Sequence, residues 1–395
     1  SACNEMGLAS TEVALQRFDT DGSPIMAGGI KYTARTQDIQ EYQTPYGAAR
    51  ISRYVYQTSS GGKIFCPLES AARIIQNATP RFAKMLSHKY ANMSGNDATD
   101  DLSVNHGRKV SKNYLQKVAA VVGEFIESKE DRWEYQLPEF NSQIKTASLS
   151  MDGAHLLMHQ DGWREGMVGT ISLYNKAGER QHTIYVGCPP EHGKETFMMR
   201  FDHEIERIKK QYPKILYIGI ADGARDNWPY LEKHTSKQLL DFYHVTEYLT
   251  EASYAAHPEK TGKPKRIAWL ESRCHALKHE RDGPKNILAE LIRLNRKRKL
   301  NRVVRENLVS AISYFKNNIH RMRYSEQVKK KLPIGSGVTE AACKTLIKQR
   351  LCCSGMRWKK VGVKIILKLR SLAQTKGRWQ QFWDKLNQYG VPSMT

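Results

Sequence analysis

Three carboxylates of this chain sit where acids can do chemistry. Asp152 follows the apolar run 147–151 and precedes Gly153, and Asp222 follows the apolar run 215–221 and precedes Gly223. A carboxylate at the end of a β-strand is fixed by the sheet yet open at its rim. Asp-Gly is also an ordinary turn dipeptide, but two such endings in one candidate sheet favour a site over two turns. Glu340 is the sole acid between residues 327 and 383, a stretch that holds 14 Lys and Arg. A Glu just after Gly337 is equally one that the macrodipole at a helix N-terminus favours. Together the three acids suit phosphoryl transfer. Carboxylates can hold two Mg2+ ions about 3.5–4 Å apart, one for the attacking and one for the leaving oxygen. Magnesium takes oxygen ligands and keeps several waters, so few protein groups suffice. The expected cofactor is Mg2+, with Mn2+ as a substitute. Asp152, Asp222 and Glu340 are its expected ligands and the expected catalytic residues.

The elements around these acids read as a mixed α/β sheet. Residues 147–151, 167–174 and 182–186 are expected strands, with a turn at Asn175-Lys176-Ala177-Gly178. Residues 194–211 place Phe197, Phe201, Ile205 and Ile208 on one helical face. Residues 215–221 and 238–243 are two more expected strands. Hairpin-linked strands followed by alternating helices and strands define the class. Residues 246–335 read as wholly helical and basic, centred on Arg293-Leu294-Asn295-Arg296-Lys297-Arg298-Lys299. The turn Ile334-Gly335-Ser336-Gly337 leads into the helix of Glu340. A last helix over 359–374 carries Lys360, Lys364 and Lys368 on an outward row, beside the apolar row Val361, Ile365 and Leu369.

Ahead of the sheet, residues 1–77 read as short strands and turns, such as 49–56 before Gly61-Gly62. Residues 80–90 have helical spacing, Asn96-Asp97 is an expected break, 98–104 a short helix and Gly107 a turn. Ser111 is the expected N-cap of a helix through Leu115, Val118 and Val122. Lys112, Asn113 and Gln116 on that helix complete the outline of a helix-turn-helix DNA reader; a plain helical bundle fits the same pattern.

Charge is unevenly placed. Residues 1–260 hold 30 Lys and Arg against 32 Asp and Glu, a net of −2, whereas residues 261–395 hold 32 against 8, a net of +24. All of the +22 excess therefore lies in the last third. Such a field is held near a partner of opposite sign, of which nucleic acid is the commonest, or tolerated as self-repulsion on a solvated basic surface. Arg296, Arg298, Lys344, Arg350, Arg357, Lys360 and Lys364 are the expected backbone contacts. Trp228, Trp269 and Trp358 are candidates to stack on a frayed base, with core packing as the alternative. No apolar run approaches the roughly 20 residues of a membrane helix, and no signal-peptide pattern opens the chain. The seven Cys show no paired CxxC spacing, which points to a reducing compartment. Cys274 with His275 and His279, and Cys188 with His192, each lack the second half of a zinc site.

At these residues the chain resembles a known family, the bacterial insertion-sequence transposases of the Kra group, relatives of the Mutator-like DDE transposases. The matching stretches are Met151-Asp152-Gly153 with Trp163-Arg164-Glu165 and Val168-Gly169; Ala221-Asp222-Gly223-Ala224 with Trp228; and Asp241-Phe242-Tyr243-His244-Val245-Thr246-Glu247-Tyr248-Leu249. The longest is Gly335-Ser336-Gly337-Val338-Thr339-Glu340-Ala341-Ala342-Cys343-Lys344, running on through Gln349-Arg350-Leu351 to Ser354-Gly355-Met356-Arg357-Trp358. The resemblance covers about residues 145–385 well and 40–125 more loosely. It implies an RNase H-like catalytic domain with Asp152, Asp222 and Glu340 as its DDE triad, an all-helical insertion before the Glu, and an N-terminal helix-turn-helix region for terminal inverted repeats. His244 stands where Mutator-like relatives place a Cys/His motif, which puts it near the scissile phosphate or a DNA end; a buried, hydrogen-bonded His is the alternative. Only Cys66 stands where relatives carry a cysteine cluster, against a zinc knuckle.

The expected organisation is a strand-rich region over 1–77, a helix-turn-helix-like region over 78–140, the first part of an RNase H-like core over 141–245, a basic helical insertion over 246–335 and the core's C-terminal helices over 336–395. The expected activity is that of a transposase which binds inverted repeats, cleaves DNA at the element ends and joins the 3′-hydroxyls to target DNA. Its expected partners are double-stranded DNA and further copies of itself, as a homodimer or higher oligomer, with no membrane, in the bacterial cytoplasm at the nucleoid. The competing expectations are a structure-specific nuclease of the same superfold and a non-catalytic DNA-binding protein derived from a transposase.

Overall fold

The computed structural model describes residues 2–129, 132–259, 261–297 and 299–390. In chain order the first elements are α1 (Ala2–Gln16), β1 (Ile25–Ala27), β2 (Ile30–Gln43), β3 (Ala48–Thr58), β4 (Gly61–Phe65), α2 (Pro67–Ala71), α3 (Pro80–Asn92), α4 (Gly95–His106) and α5 (Lys112–Lys129). Then come β5 (Ile144–Met158), β6 (Gly162–Asn175), β7 (Arg180–Cys188), α6 (Glu195–Gln211), β8 (Leu216–Ala221), α7 (Asn227–His234) and β9 (Lys237–Leu240). The remainder is helical: α8 (Phe242–Ala256), α9 (Lys263–His279), α10 (Gly283–Lys297), α11 (Arg302–Asn318), α12 (Tyr324–Lys329), α13 (Gly337–Ala342), α14 (Gln349–Leu351), α15 (Lys360–Gln374) and α16 (Arg378–Tyr389). A 3-10 turn covers Ile319–Arg321 and a π-helical segment Cys343–Lys348. The protein is thus mixed α/β, with two compact units: Ser1–Pro138 with Leu157–Gly162 and Gln349–Thr395, and Glu139–Leu156 with Trp163–Lys348.

The first unit holds an antiparallel sheet in the order β1-β2-β3-β4. Leu15 of α1 joins Tyr42, Ala49, Ile51, Cys66 and Leu68 in the core on that sheet. The N-terminal segment is therefore not only strands and turns: α1 precedes them. Gly7 is a poor helix former and only Leu15 of α1 is buried, so α1 has no apolar stripe to reveal it. The expected break at Asn96-Asp97 falls inside α4, because the Ser94 hydroxyl accepts from Asp97 N at 3.1 Å and starts the helix earlier. Ser111 does cap α5, its hydroxyl accepting from Tyr114 N at 3.1 Å. Helix α5 buries Leu115, Val118, Ala119, Val122 and Phe125, and packs against α3 and α15. The helix over 359–374 is not the last, since α16 follows it.

The second unit is built on a five-stranded sheet in the order β7-β6-β5-β8-β9. The pairs β5–β8 and β8–β9 are parallel, while β6–β7 is antiparallel. Strands β5 and β6 are neighbours joined by three residues, a connection short enough only for an antiparallel pair. As the middle strand, β5 is covered on both faces, and Thr146 through Met151 are all buried. Helix α6 buries Phe197, Phe201, Ile205 and Ile208, as its spacing requires. Two strand expectations need correction. Asp152 does not end its strand: β5 runs on to Met158, with Ala154, Leu156 and Met158 buried on alternate positions. Strand β9 stops at Leu240 rather than 243, because Asp241 turns the chain into α8.

Candidate active site

Asp152 and Asp222 come together through the pairing of β5 with β8. In the parallel pair, Thr146 aligns with Leu216 and Leu149 with Gly219, a constant offset of 70 residues. Asp152 lies on β5 three residues past the last paired position, and Asp222 is the residue that follows β8, close enough for its charge to act on the Asp152 carboxyl. Each Asp is also the first residue to emerge after a fully covered stretch, Thr146 to Met151 in one case and Tyr217 to Ala221 in the other. Both acids therefore stand where parallel strands surface, the usual place for a ligand crevice in a sheet of this kind. Asp152 Oδ1 accepts from Gly153 N at 2.7 Å, and Cys343 Sγ donates to Oδ2 at 3.5 Å. The Asp222 turn is fixed by Tyr314, whose hydroxyl donates to Asp222 O at 2.6 Å. Gly223 has φ +100°, and a Cβ there would lie about 3.0 Å from the Tyr314 ring, so this turn needs glycine.

Glu340 arrives by a different route. The carboxylate of Asp241, 0 % exposed, accepts from Tyr243 N at 2.6 Å and His244 N at 3.2 Å, capping α8. Its second oxygen accepts from the backbone and hydroxyl of Ser336, in the turn that starts α13. Phe242 N adds a bond to Ile334 O at 3.0 Å. One buried carboxylate thus ties the start of α8, which carries His244, to the start of α13, which carries Glu340. The buried hydroxyls of Thr170 on β6 and Thr339 on α13, 2.7 Å apart, fasten the same helix to the sheet. His244 Nε2 lies 3.7 Å from Glu340 Oε1, and its Nδ1 lies 3.2 Å from Glu247 Oε2. An open cavity of about 580 Å3 is lined by Asp222, His244, Glu247, Tyr248 and Glu251.

Burial raises the Asp152 carboxyl above its ordinary range, and the charge of Asp222 adds to the rise. Burial also raises Glu340, with Asp241 and Asp152 pushing the same way and His244 opposing them. Burial pushes the Cys343 thiol up, reinforced by Asp152, so the thiol keeps its proton and serves as a donor. These acids repel one another through a half-buried medium, a state that an added cation relieves. The donor set is all oxygen at the three acids, which fits magnesium. Among the described residues, no three His, Cys, Asp or Glu side chains converge as a preformed metal cage.

Asp241, Glu247, Cys343 and Glu165 lie within the stretches that carry the resemblance, but their residue types and spacing assign none of them a role of its own. Glu165 lies against Gly153, where an added Cβ would collide with its carboxylate, and pairs with Lys194 at 3.1 Å. Asp241 was visible as an N-cap before the helical spacing Val245, Leu249, Ala252.

Of the expected DNA contacts, Lys112, Asn113, Arg296, Lys344, Arg357 and Lys360 are exposed. Gln116 is half-buried and its side chain bonds to Tyr90. Arg298 lies outside the described residues. Others are corrected. Arg350 is 2 % exposed, donates to Tyr90 O at 3.1 Å, and sits over the rings of Tyr90 and Trp358. Trp358 is half-buried, its indole N–H donating to Leu351 O at 2.8 Å. Trp228 is buried under Arg321, whose guanidinium lies 4.2 Å from the ring centre. Trp269 is buried and donates to Glu290 at 2.9 Å. The Lys360, Lys364 and Lys368 row does not face outward throughout: Lys364 pairs with Glu127 at 2.5 Å, and the buried Lys368 does so at 3.5 Å. Of the apolar row, Val361 is exposed instead.

The chain matches no protein-family model and no curated protein. No described helix is long and apolar enough to cross a membrane.

Proposed function

We propose that this chain is a Mg2+-dependent DDE transposase of the insertion-sequence type. It binds the terminal inverted repeats of its element, cleaves the phosphodiester at the ends and joins the freed 3′-hydroxyls to target DNA. The observation that carries the reading is that Asp152 on β5 stands within reach of the charge of Asp222, the residue after the adjacent parallel strand β8, and that Glu340 is in turn raised by Asp152. The sheet order, and the long helical stretch between β9 and Glu340, support an RNase H-like core with a helical insertion.

Asp152, Asp222 and Glu340 would hold the metal ions. When bound, these ions supply positive charge at the attacking and leaving oxygens. The chain's own residues do the rest. Asp241 fixes the helix starts from which His244 and Glu340 project. His244 stands beside the Glu340 carboxylate, its Nε2 3.7 Å from Oε1. Exposed Lys344, four residues after Glu340, supplies positive charge beside it. The joining step exchanges one phosphodiester for another and needs no external energy source. Two ends must be handled together, so the working form is a dimer or larger on DNA, in the bacterial cytoplasm.

The test is incubation with Mg2+ and DNA bearing the ends of the element that encodes the chain. Cleavage at those ends with strand joining is expected, with binding that weakens steeply with salt. Cleavage of unrelated branched DNA in preference to the ends replaces this reading with that of a structure-specific nuclease. Binding with no cleavage leaves a non-catalytic DNA-binding protein.

A further inference from the structure

One tryptophan is left open to solvent at the start of β6. Of the chain's seven Trp, Trp133, Trp228, Trp269 and Trp383 are buried and Trp358 and Trp379 half-buried, whereas Trp163 is 60 % exposed. Among the described residues no ring or cation lies on it. A lone exposed Leu is ordinary; an indole exposes a flat apolar face that stacks. Trp163 is the second residue of a 14-residue strand that neighbours the central strand β5, so the sheet rather than a loop sets its position.

Its place is near the carboxylates. Trp163 precedes Glu165 by two residues, about 7 Å along an extended strand. Glu165 in turn lies against Gly153, the neighbour of Asp152, where an added Cβ would meet its carboxylate. Three residues on from Trp163, Gly166 packs on the π-helical segment, a Cβ there lying 3.3 Å from the Ile347 side chain. That segment carries exposed Lys344 and Lys348, and Arg164 beside Trp163 is exposed as well. None of these three cations forms an ion pair among the described residues. The acids that flank Trp163 in sequence are Asp161 and Glu165, and Lys194 matches Glu165 at 3.1 Å. The unpaired cations therefore outnumber the one flanking acid that no Lys answers.

A flat aromatic face among unpaired cations fits a polyanion that carries bases. Single strands are bound in this way, with cations along the phosphates and a ring under a base. A duplex keeps its bases paired and answers only the cations. An apolar protein surface answers only the indole. We infer that Trp163 stacks on an unpaired nucleotide of the DNA strand that reaches the carboxylate site, with Arg164, Lys344 and Lys348 along its phosphates. On the DNA reading above, on which this rests, the strand is therefore locally unpaired beside the bond that is cut.

Fluorescence titration of the chain without Mg2+ tests this with one DNA sequence in two forms, a blunt duplex and the same duplex with a short single-stranded overhang that carries 2-aminopurine. The overhang form should bind about tenfold more tightly, and its 2-aminopurine emission should be quenched on binding by the stacked indole. Trp163→Ala should bring the overhang form down to the blunt-duplex affinity, abolish the quenching and leave the blunt duplex unchanged. Trp163→Phe should restore part of both effects, since a smaller ring still stacks. Arg164→Gln should weaken both forms alike. Trp163→Gln serves as the deciding variant if Trp163→Ala does not fold. Quenching that persists in Trp163→Ala, an equal loss for both forms, or no overhang preference in the wild type overturns the inference. So does a Trp163→Ala chain that loses self-association and keeps the overhang preference, which gives the indole to a second copy. Asp152→Asn is expected to quench like the wild type. Absent end cleavage with quenching intact therefore counts against the transposase alone, and end cleavage with no dependence on Trp163 counts against this site alone.

Discussion

The carboxylate site and the helical packing of α3, α5 and α15 treat charge in opposite ways. At the site, burial raises the Asp152 and Glu340 carboxyls, the charge of Asp222 adds to the first and that of Asp152 to the second, and neither forms an ion pair with a Lys or Arg among the described residues. In the helical packing, charges are buried and answered. Arg350 and Arg370 donate to the carbonyls of Tyr90 and Ala91 at the end of α3, and Lys368 meets Glu127 of α5. The first pattern stores unfavourable electrostatics where a ligand can relieve it; the second spends polar groups on holding helices together. Formal charge in the sequence looks the same in both.

That contrast can be broken by mutation. Asp152→Asn should lower strand cleavage about a thousandfold, the loss expected when several kcal/mol of transition-state charge stabilisation disappear. The same variant should leave the urea midpoint unchanged or raised, because it removes a buried charge beside Asp222. A fall in midpoint that matches the fall in activity would place Asp152 with the structural charges. Arg350→Met should do the reverse, costing about 2–4 kcal/mol of stability through the orphaned Tyr90 carbonyl and lost packing. Arg350→Lys should recover little of it, since a lysine cannot stack flat between two rings. Urea unfolding of each protein reads both effects.

Asp241→Asn should fall between these extremes. Its amide cannot accept from all four donors of the α8 and α13 starts, at a cost of about 1–3 kcal/mol. It should also misplace Glu340, so cleavage falls more than stability does. Equal falls in the two would reduce Asp241 to a helix cap. Smallest is a pH effect at His234, which is buried and held below the ordinary histidine range mainly by burial. The unfolded chain then takes up the proton first, near pH 6.5. Stability should be full above that pH and fall as pH drops through it, and His234→Gln should flatten that part of the profile.

The sequence showed the sheet and its acids because their signals are local. An apolar run ending in Asp-Gly marks Asp152 and Asp222, and one acid in a basic stretch marks Glu340. The continuation of β5 past Asp152 was also legible in the alternation Ala154, Leu156, Met158, but a strand that changes from covered on both faces to covered on one looks like a strand that ends. The fate of Arg350, Lys364, Lys368 and Trp228 was not legible. Each is decided by a partner distant in sequence, such as Tyr90, Glu127 or Arg321, and helical spacing alone gives Lys368 the same outward row as Lys360. Asp241 marks the middle case: its capping role is local, while its hold on Ser336 spans 95 residues.

The central claim is that Glu340 works with the two aspartates on one phosphodiester. Glu340→Gln keeps the shape of the side chain and removes its charge. On end-bearing DNA with Mg2+, the wild type should cleave and join strands, while Glu340→Gln should bind the same DNA with similar affinity and leave it intact. Cleavage by Glu340→Gln at the wild-type rate would remove Glu340 from the site and the triad with it.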